Sequence, residues 1–274
     1  MNKIAYLGLA AVVVVAPAKA ADLPVKGPPP PVVLPFNWNG FYVGGHLGGG
    51  QLNDTVTFVG TLNSTNFPAG TVAKETASGV LGGVQAGYNW QLPSSWVLGV
   101  EGDYSFADFA GTNLNVGNAT GSNAIVSVIN PNIISNPQPR VTDLATITGR
   151  FGYAFDRLLL FGKAGWGWAR TTDNAFTTDA TGATILTQTL SATRSGWTAG
   201  GGVEFGFWQH WSAKFEGDYM GFGKRTLGSF VTSGNAEIPT GSILQREHDA
   251  NIWVIKGGVN YHFNWGAAPL VANY

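Results

Sequence analysis

Between Trp38 and Phe263 one unit recurs eight times: about a dozen residues in which large apolar side chains alternate with small or polar ones. The clearest copy is Trp211-Ser212-Ala213-Lys214-Phe215-Glu216-Gly217-Asp218-Tyr219. A period of two puts Trp211, Phe215 and Tyr219 on one face and Lys214, Glu216 and Asp218 on the other. A second copy, Trp96 to Phe106, sets Trp96, Leu98, Val100, Tyr104 and Phe106 opposite Glu101 and Asp103, with Glu-Gly-Asp-Tyr in the same phase. A soluble sheet buries such an apolar face, whereas a membrane barrel turns it outward to lipid.

Composition favours the membrane. Only 11% of residues are charged and Gly, at 39, is the commonest type, against roughly 25% charged and roughly 7% Gly in soluble proteins. Beyond the N-terminus no stretch reaches the ~18 consecutive apolar residues of a spanning helix, so strands must cross. Lys3, the apolar core Leu7 to Ala16 and Ala18-Lys19-Ala20 form a signal-peptide pattern with cleavage expected after Ala20. The core is too short for a helical anchor. Export without Cys excludes a disulfide scaffold and thiolate chemistry, and a slight acidic excess gives no reason to expect nucleic acid.

The organisation expected is a signal peptide at 1–20, a Pro-rich periplasmic tether at 21–37, a barrel at 38–263 and a C-terminal tail at 264–274. The pattern predicts an all-β fold, an eight-stranded antiparallel transmembrane β-barrel, with strands at 39–52, 77–90, 95–109, 141–154, 158–170, 192–206, 210–224 and 248–263. The long connections 53–76, 110–140, 171–191 and 225–247 read as extracellular loops, and 91–94, 155–157 and 207–209 as periplasmic turns. The Ile133-Ile134 pair in the longest loop is expected to pack over the barrel mouth.

Ten tryptophans sort by height into two interfacial belts, where amphipathic rings favour the headgroup levels. Trp38, Trp90, Trp96, Trp208, Trp211 and Trp265 fall beside tight turns or chain ends, and Trp166, Trp168, Trp197 and Trp253 toward the long loops. The opposite face gives the lumen, which includes Tyr42, His46, Gln85, Asn89, Thr146, Thr148, Asn260 and a charge network of Glu101, Asp103, Arg150, Lys163, Glu204, Lys214, Glu216, Asp218 and Lys256. Charges of both signs in a narrow interior should pair. Eight strands leave room only for the side chains themselves, so a plugged interior is expected rather than an open pore. Paired glycines such as Gly44-Gly45 and Gly200-Gly201-Gly202 relieve crowding there.

Several motifs together then resemble a known family. Ala21-Asp22-Leu23-Pro24, a Pro-rich stretch and Phe36-Asn37-Trp38-Asn39-Gly40-Phe41-Tyr42-Val43-Gly44-Gly45 are similar to the opening of the alphaproteobacterial outer-membrane immunogenic proteins, small OmpA-like barrels of the porin family. The likeness continues through Glu101-Gly102-Asp103-Tyr104, Thr148-Gly149-Arg150-Phe151-Gly152-Tyr153 and Gly257-Gly258-Val259-Asn260-Tyr261-His262-Phe263. It implies an abundant surface antigen of the bacterial outer membrane that supports envelope integrity, in contact with lipid, lipopolysaccharide and the barrel-assembly machinery, with haem, phage or host ligands at the loops in some members. It brings no catalytic residues and no cofactor. The family usually stops at the terminal aromatic of its last strand, whereas here Asn264 to Tyr274 follow Phe263, leaving Phe263 and Tyr274 both as candidates for the assembly signal.

Enzymatic alternatives find little support. A lipid-modifying hydrolase needs His, Ser and an acid together on the outer surface, and no predicted strand shows that pair. The four His are scattered without metal-ligand spacing. His46 is assigned to the lumen, His210 and His262 to the periplasmic edge, and His248 to the rim, where it alone is placed as an exposed haem ligand. A structural and surface-interaction barrel is therefore the leading expectation, followed by a small diffusion channel and then by a haem or host-ligand binder.

Overall fold

The computed structural model describes residues 36–61, 72–116, 119–120, 134–178, 184–230 and 243–263. The expected leader, most of the tether, the tail with Trp265 and Tyr274, and the Ile133-Ile134 side chains lie outside the described residues. Among the described residues nine strands form: β1 (Gly40–Thr61), β2 (Val72–Gln91), β3 (Trp96–Val116), the two-residue β4 (Ala119–Thr120), β5 (Ile134–Phe155), β6 (Leu158–Thr178), β7 (Thr184–Gly206), β8 (Trp211–Phe230) and β9 (Ile243–Phe263). The eight long strands pair antiparallel with their chain neighbours, and β1 pairs with both β2 and β9, so the sheet closes on itself. β4 only folds back on the top of β3. The expected eight-stranded barrel is the observed fold.

The register sets the two faces. Phe41, Val80, Val84, Val100, Phe106, Ile147, Phe151, Phe215 and Ile255 are exposed on the outside, where a soluble sheet would not leave them. Aromatic residues bracket this band at a constant interval, from Trp96 to Tyr104, from Trp211 to Tyr219 and from Tyr261 to Trp253. Eight residues cover about 26 Å along a strand, enough to cross the hydrocarbon when tilted. Trp90, Trp96, Trp166, Trp197, Trp211 and Trp253 are exposed on this outer face, Trp168 is half-buried there, and Trp208 is exposed in the turn before β8.

Three features differ from the sequence expectation. The strands are 20 to 23 residues long, so they continue well beyond the upper aromatic belt into segments read as loops. Above the lipid both faces of a strand meet water, and the apolar alternation that marks a strand disappears while the backbone ladder persists. Thr171 to Thr178 and Thr184 to Ala192 pair in this way. Trp38 is not an interfacial residue: it is fully buried. His248 is not an exposed rim residue either, since it is buried inside the barrel.

The short periplasmic turns are tight enough to need left-handed backbone at Ser95 (φ 65°) and Asp156 (φ 55°). Asp tolerates that conformation because its side chain is short and polar.

Candidate functional site: the layered lumen

Inward positions change character with height, dividing the interior into four layers. At the periplasmic end Phe36, Trp38, Val97, Ala154, Leu159 and Phe161 form an apolar floor. Phe36 and Trp38 precede β1 and turn under the barrel. The backbone N–H of Trp38 donates to Gln91 Oε1 (3.0 Å) and its indole donates to the Asp156 carbonyl (3.1 Å), tying the segment to two turns. The Phe36 ring lies on Gly206, where a Cβ would come 2.5 Å from Phe36 Cγ. Phe36, assigned to the tether, thus belongs with Trp38 to a lid on the periplasmic mouth.

Above the lid lies the charged layer. The two Glu-Gly-Asp-Tyr copies fall on β3 and β8, four strands apart in an eight-stranded wall, and so face each other across the lumen. Lys163 and Lys214 bridge them. Lys163 Nζ stands 3.3 Å from Glu101, 3.0 Å from Glu216 and 3.1 Å from Asp218, and Lys214 Nζ stands 2.9 Å from Glu101 and 3.1 Å from Glu216. Lys256 Nζ completes this side at 3.0 Å from both Glu216 and Asp218 and 3.4 Å from Asp103. Arg150 joins Glu204 (2.8 Å) to Glu101 (3.4 Å) and donates to the Tyr42 hydroxyl (2.7 Å), which itself donates to Glu101 (2.7 Å). The guanidinium also lies 4.1 Å over the Phe161 ring of the floor.

All nine charged residues of the expected network are buried in this layer. Glu204 is held by directed partners: Ser212 and Asn260 each donate to it at 2.6 Å, and the His262 ring lies 3.3 Å away. Glu216 and Asp218 are held instead by ammonium contacts whose geometry is ionic rather than directed. Inward glycines make the room. A Cβ at Gly87 would strike the Tyr42 ring at 2.5 Å, so only Gly lets that phenol lie flat against the wall.

The third layer is an apolar septum of Leu52, Ala77, Leu81, Phe109, Val141, Leu144, Ala169, Met220, Ala250, Ile252 and Val254. Phe109 is fully buried in it. Above the septum Asp54 (β1) accepts from Arg194 (β7) at 3.0 Å and stands 3.0 Å from His248 Nδ1 (β9). Sequence reading missed both this cluster and the septum. The inward parity of Asp54, Arg194 and His248 follows from simple alternation, but their polar surroundings carried no strand signal.

His46 Nε2 with Ser105 at 2.7 Å and His262 Nε2 with Ser212 at 2.9 Å are His–Ser contacts sealed in the lumen. No ester of a membrane lipid reaches them. Among the described residues there is also no group of three His, Cys or acidic side chains placed to hold a metal.

A family model for the outer membrane protein beta-barrel domain matches residues 8–263. The chain belongs to this outer-membrane β-barrel family. The 31 kDa outer-membrane immunogenic protein of Brucella melitensis is 31% identical over 252 residues, covering 90% of this chain and 93% of that protein, and the Brucella suis protein matches equally. The resemblance stated from the N-terminal and strand motifs is thereby borne out. Among solved structures, OprG of Pseudomonas aeruginosa covers 83% of this chain and 98% of its own at 13% identity and a TM-score of 0.47. The Escherichia coli outer membrane protease OmpT covers 85% and 99% at 10% identity and a TM-score of 0.48. This chain is an outer-membrane β-barrel of the family's kind.

Proposed function

We propose that this protein is a closed structural barrel that supports the envelope and presents its extracellular segments for recognition, and that it does not serve as a diffusion pore. The observation that carries the reading is the stacking of three seals in one lumen: the Phe36–Trp38 lid, the paired-charge layer and the apolar septum. Ions crossing would have to break buried ion pairs and then enter a dewetted apolar constriction, and each step is costly. The relatives named as outer-membrane immunogenic proteins support an antigenic role for the exposed part. Contact with lipid and lipopolysaccharide follows from the apolar outer band, and the assembly machinery is expected to read an aromatic near the end of β9.

Conductance tests this. Refolded wild-type protein in planar bilayers is expected to show no steady channels at physiological salt. Large, stable openings would refute the closed-barrel reading and establish the diffusion channel in its place. The haem alternative loses its motivating residue, because His248 is buried against Asp54 rather than presented at the surface.

A further inference from the structure

The barrel wall is not closed to its full height. The β7–β8 ladder runs from Gly206↔Ser212 up to Trp197↔Gly221 and stops. Both strands continue far above that point: β7 pairs with β6 as far as Thr184, and β8 pairs with β9 as far as Phe230. Among the described residues no strand pairs with the β8-facing edge of Thr184–Gly196, nor with the β7-facing edge of Phe222–Phe230. The extracellular half of the wall therefore carries a seam.

Its cause is local. Between Gly221 and Lys224 the register of β8 against β9 shifts, and Gly223 adopts φ +64°. Such a bulge bends the strand that carries it, and it begins at the residue after Gly221, the last β8 residue paired with β7. Continuing the ladder register would set Thr193 opposite Arg225. In place of backbone pairing, the Arg225 guanidinium donates to the Thr193 carbonyl at 3.3 Å.

The two edges are not equivalent. The β8 edge carries the bulge and adjacent Lys224 and Arg225, the devices that normally keep a strand edge from pairing. The β7 edge, Thr-Ile-Leu-Thr-Gln-Thr-Leu-Ser-Ala-Thr-Arg-Ser-Gly, is long and rich in Thr, and its one charged side chain, Arg194, is turned inward to Asp54. We propose that the β7 edge above Trp197 is an acceptor for an extended peptide strand supplied by an extracellular partner, bound through backbone hydrogen bonds with little demand on side-chain charge.

Length and geometry select that occupant. Residues 231–242 join Phe230 to Ile243, which are cross-strand partners at the top of the seam; descending past Phe222–Phe230 and returning would take more residues than those twelve. The five residues 179–183 are shorter still. Segments 62–71 and 121–133 spring from β1–β2 and β3–β5, away from the seam, and both chain ends leave from the periplasmic side. A second copy in the same membrane is also a poor fit. Barrel strands tilt by about 35–45°, so the walls of two neighbouring barrels cross at roughly 70–90° and cannot form a ladder.

The test uses the full mature chain in phosphatidylcholine vesicles and a capped ten-residue peptide of alternating Thr and Val. Its control is the same peptide with alternate amides N-methylated, which keeps the side chains and removes the ladder donors. Amide exchange is read across Thr184–Gly196. The unmodified peptide is expected to slow exchange at least tenfold at alternate residues, and the methylated one to have no effect. The chain has no Cys, so Thr193→Cys with Arg225→Cys would close the seam by a single disulfide and should abolish the protection. If that pair fails to fold, Arg225→Ala serves instead and should bind the peptide at least as tightly as wild type. Absence of protection at millimolar peptide, equal protection by the methylated peptide, or protection surviving the cross-link would overturn the proposal. So would slow exchange along this edge in the free protein, which would assign the seam to the chain's own loops if the protein is monomeric and to a second copy if it is dimeric.

Discussion

Two buried carboxylates with the same chemistry should behave differently when removed. Glu204 is the partner of Arg150, Ser212 and Asn260 at once, so Glu204→Ala strands several donors and should lower stability by roughly 3–5 kcal/mol, the range for breaking a buried ion pair. Glu216 shares Lys163, Lys214 and Lys256 with Glu101, Asp103 and Asp218. Glu216→Ala should therefore destabilise less, with water entering the layer. Denaturant-induced unfolding from lipid vesicles compares the two, and equal losses would show that the network is not redundant around Glu216. Trp38 makes a separate prediction, because it fills the periplasmic mouth. Trp38→Ala should cost about 3–5 kcal/mol and expose Leu159→Cys to a water-soluble maleimide from the periplasmic side, whereas with Trp38 present the same thiol should stay unreactive.

Along a single strand, inside and outside differ by one residue. Phe215 and Val100 face lipid, at 59% and 50% exposure, and Lys placed there near the midplane costs ~2–4 kcal/mol. Phe215→Lys or Val100→Lys should thus depress the folded fraction in bilayers. Gln85→Lys puts the same cation among five carboxylates balanced by four bases and loses mainly the 2.6 Å hydrogen bond to Asn260, so it should be milder. A reversal of that order would invert the facing of every strand, since register has a period of two. The strands also show where pattern reading stops: alternation reports lipid on one side and lumen on the other, and β5 to β7 continue beyond the lipid on Thr, Asn and Ser residues that carry no such contrast.

For the molecule as a whole, the length asymmetry of its connections fixes orientation in the membrane. The turns at Asp156 and at Phe207–His210 are short, and the strands project past the belt at the other end. A thiol at Lys224→Cys should label in intact cells, and one at Asp156→Cys only after the outer membrane is permeabilised. Labelling of Asp156→Cys alone in intact cells would turn the barrel over.

The sequence by itself determined the number of strands, their antiparallel order, the outer face and the inward set of charges, because alternation with period two in a chain lacking spanning helices leaves only a closed sheet. It also carried the family, through short motifs in a fixed order. Only the tertiary structure decided how those charges meet. Lys163 on β6 and Lys214 on β8 bridge Glu101 on β3 to Glu216 on the facing β8, and such cross-lumen partners are far apart in the chain and depend on barrel closure and stagger. The lid of Phe36 and Trp38, read as tether and interfacial belt, was decided by packing at a mouth that exists only once eight strands have closed. The β7–β8 seam likewise depends on a two-residue bulge at Phe222–Gly223, whose effect is visible only when the neighbouring strand is in place.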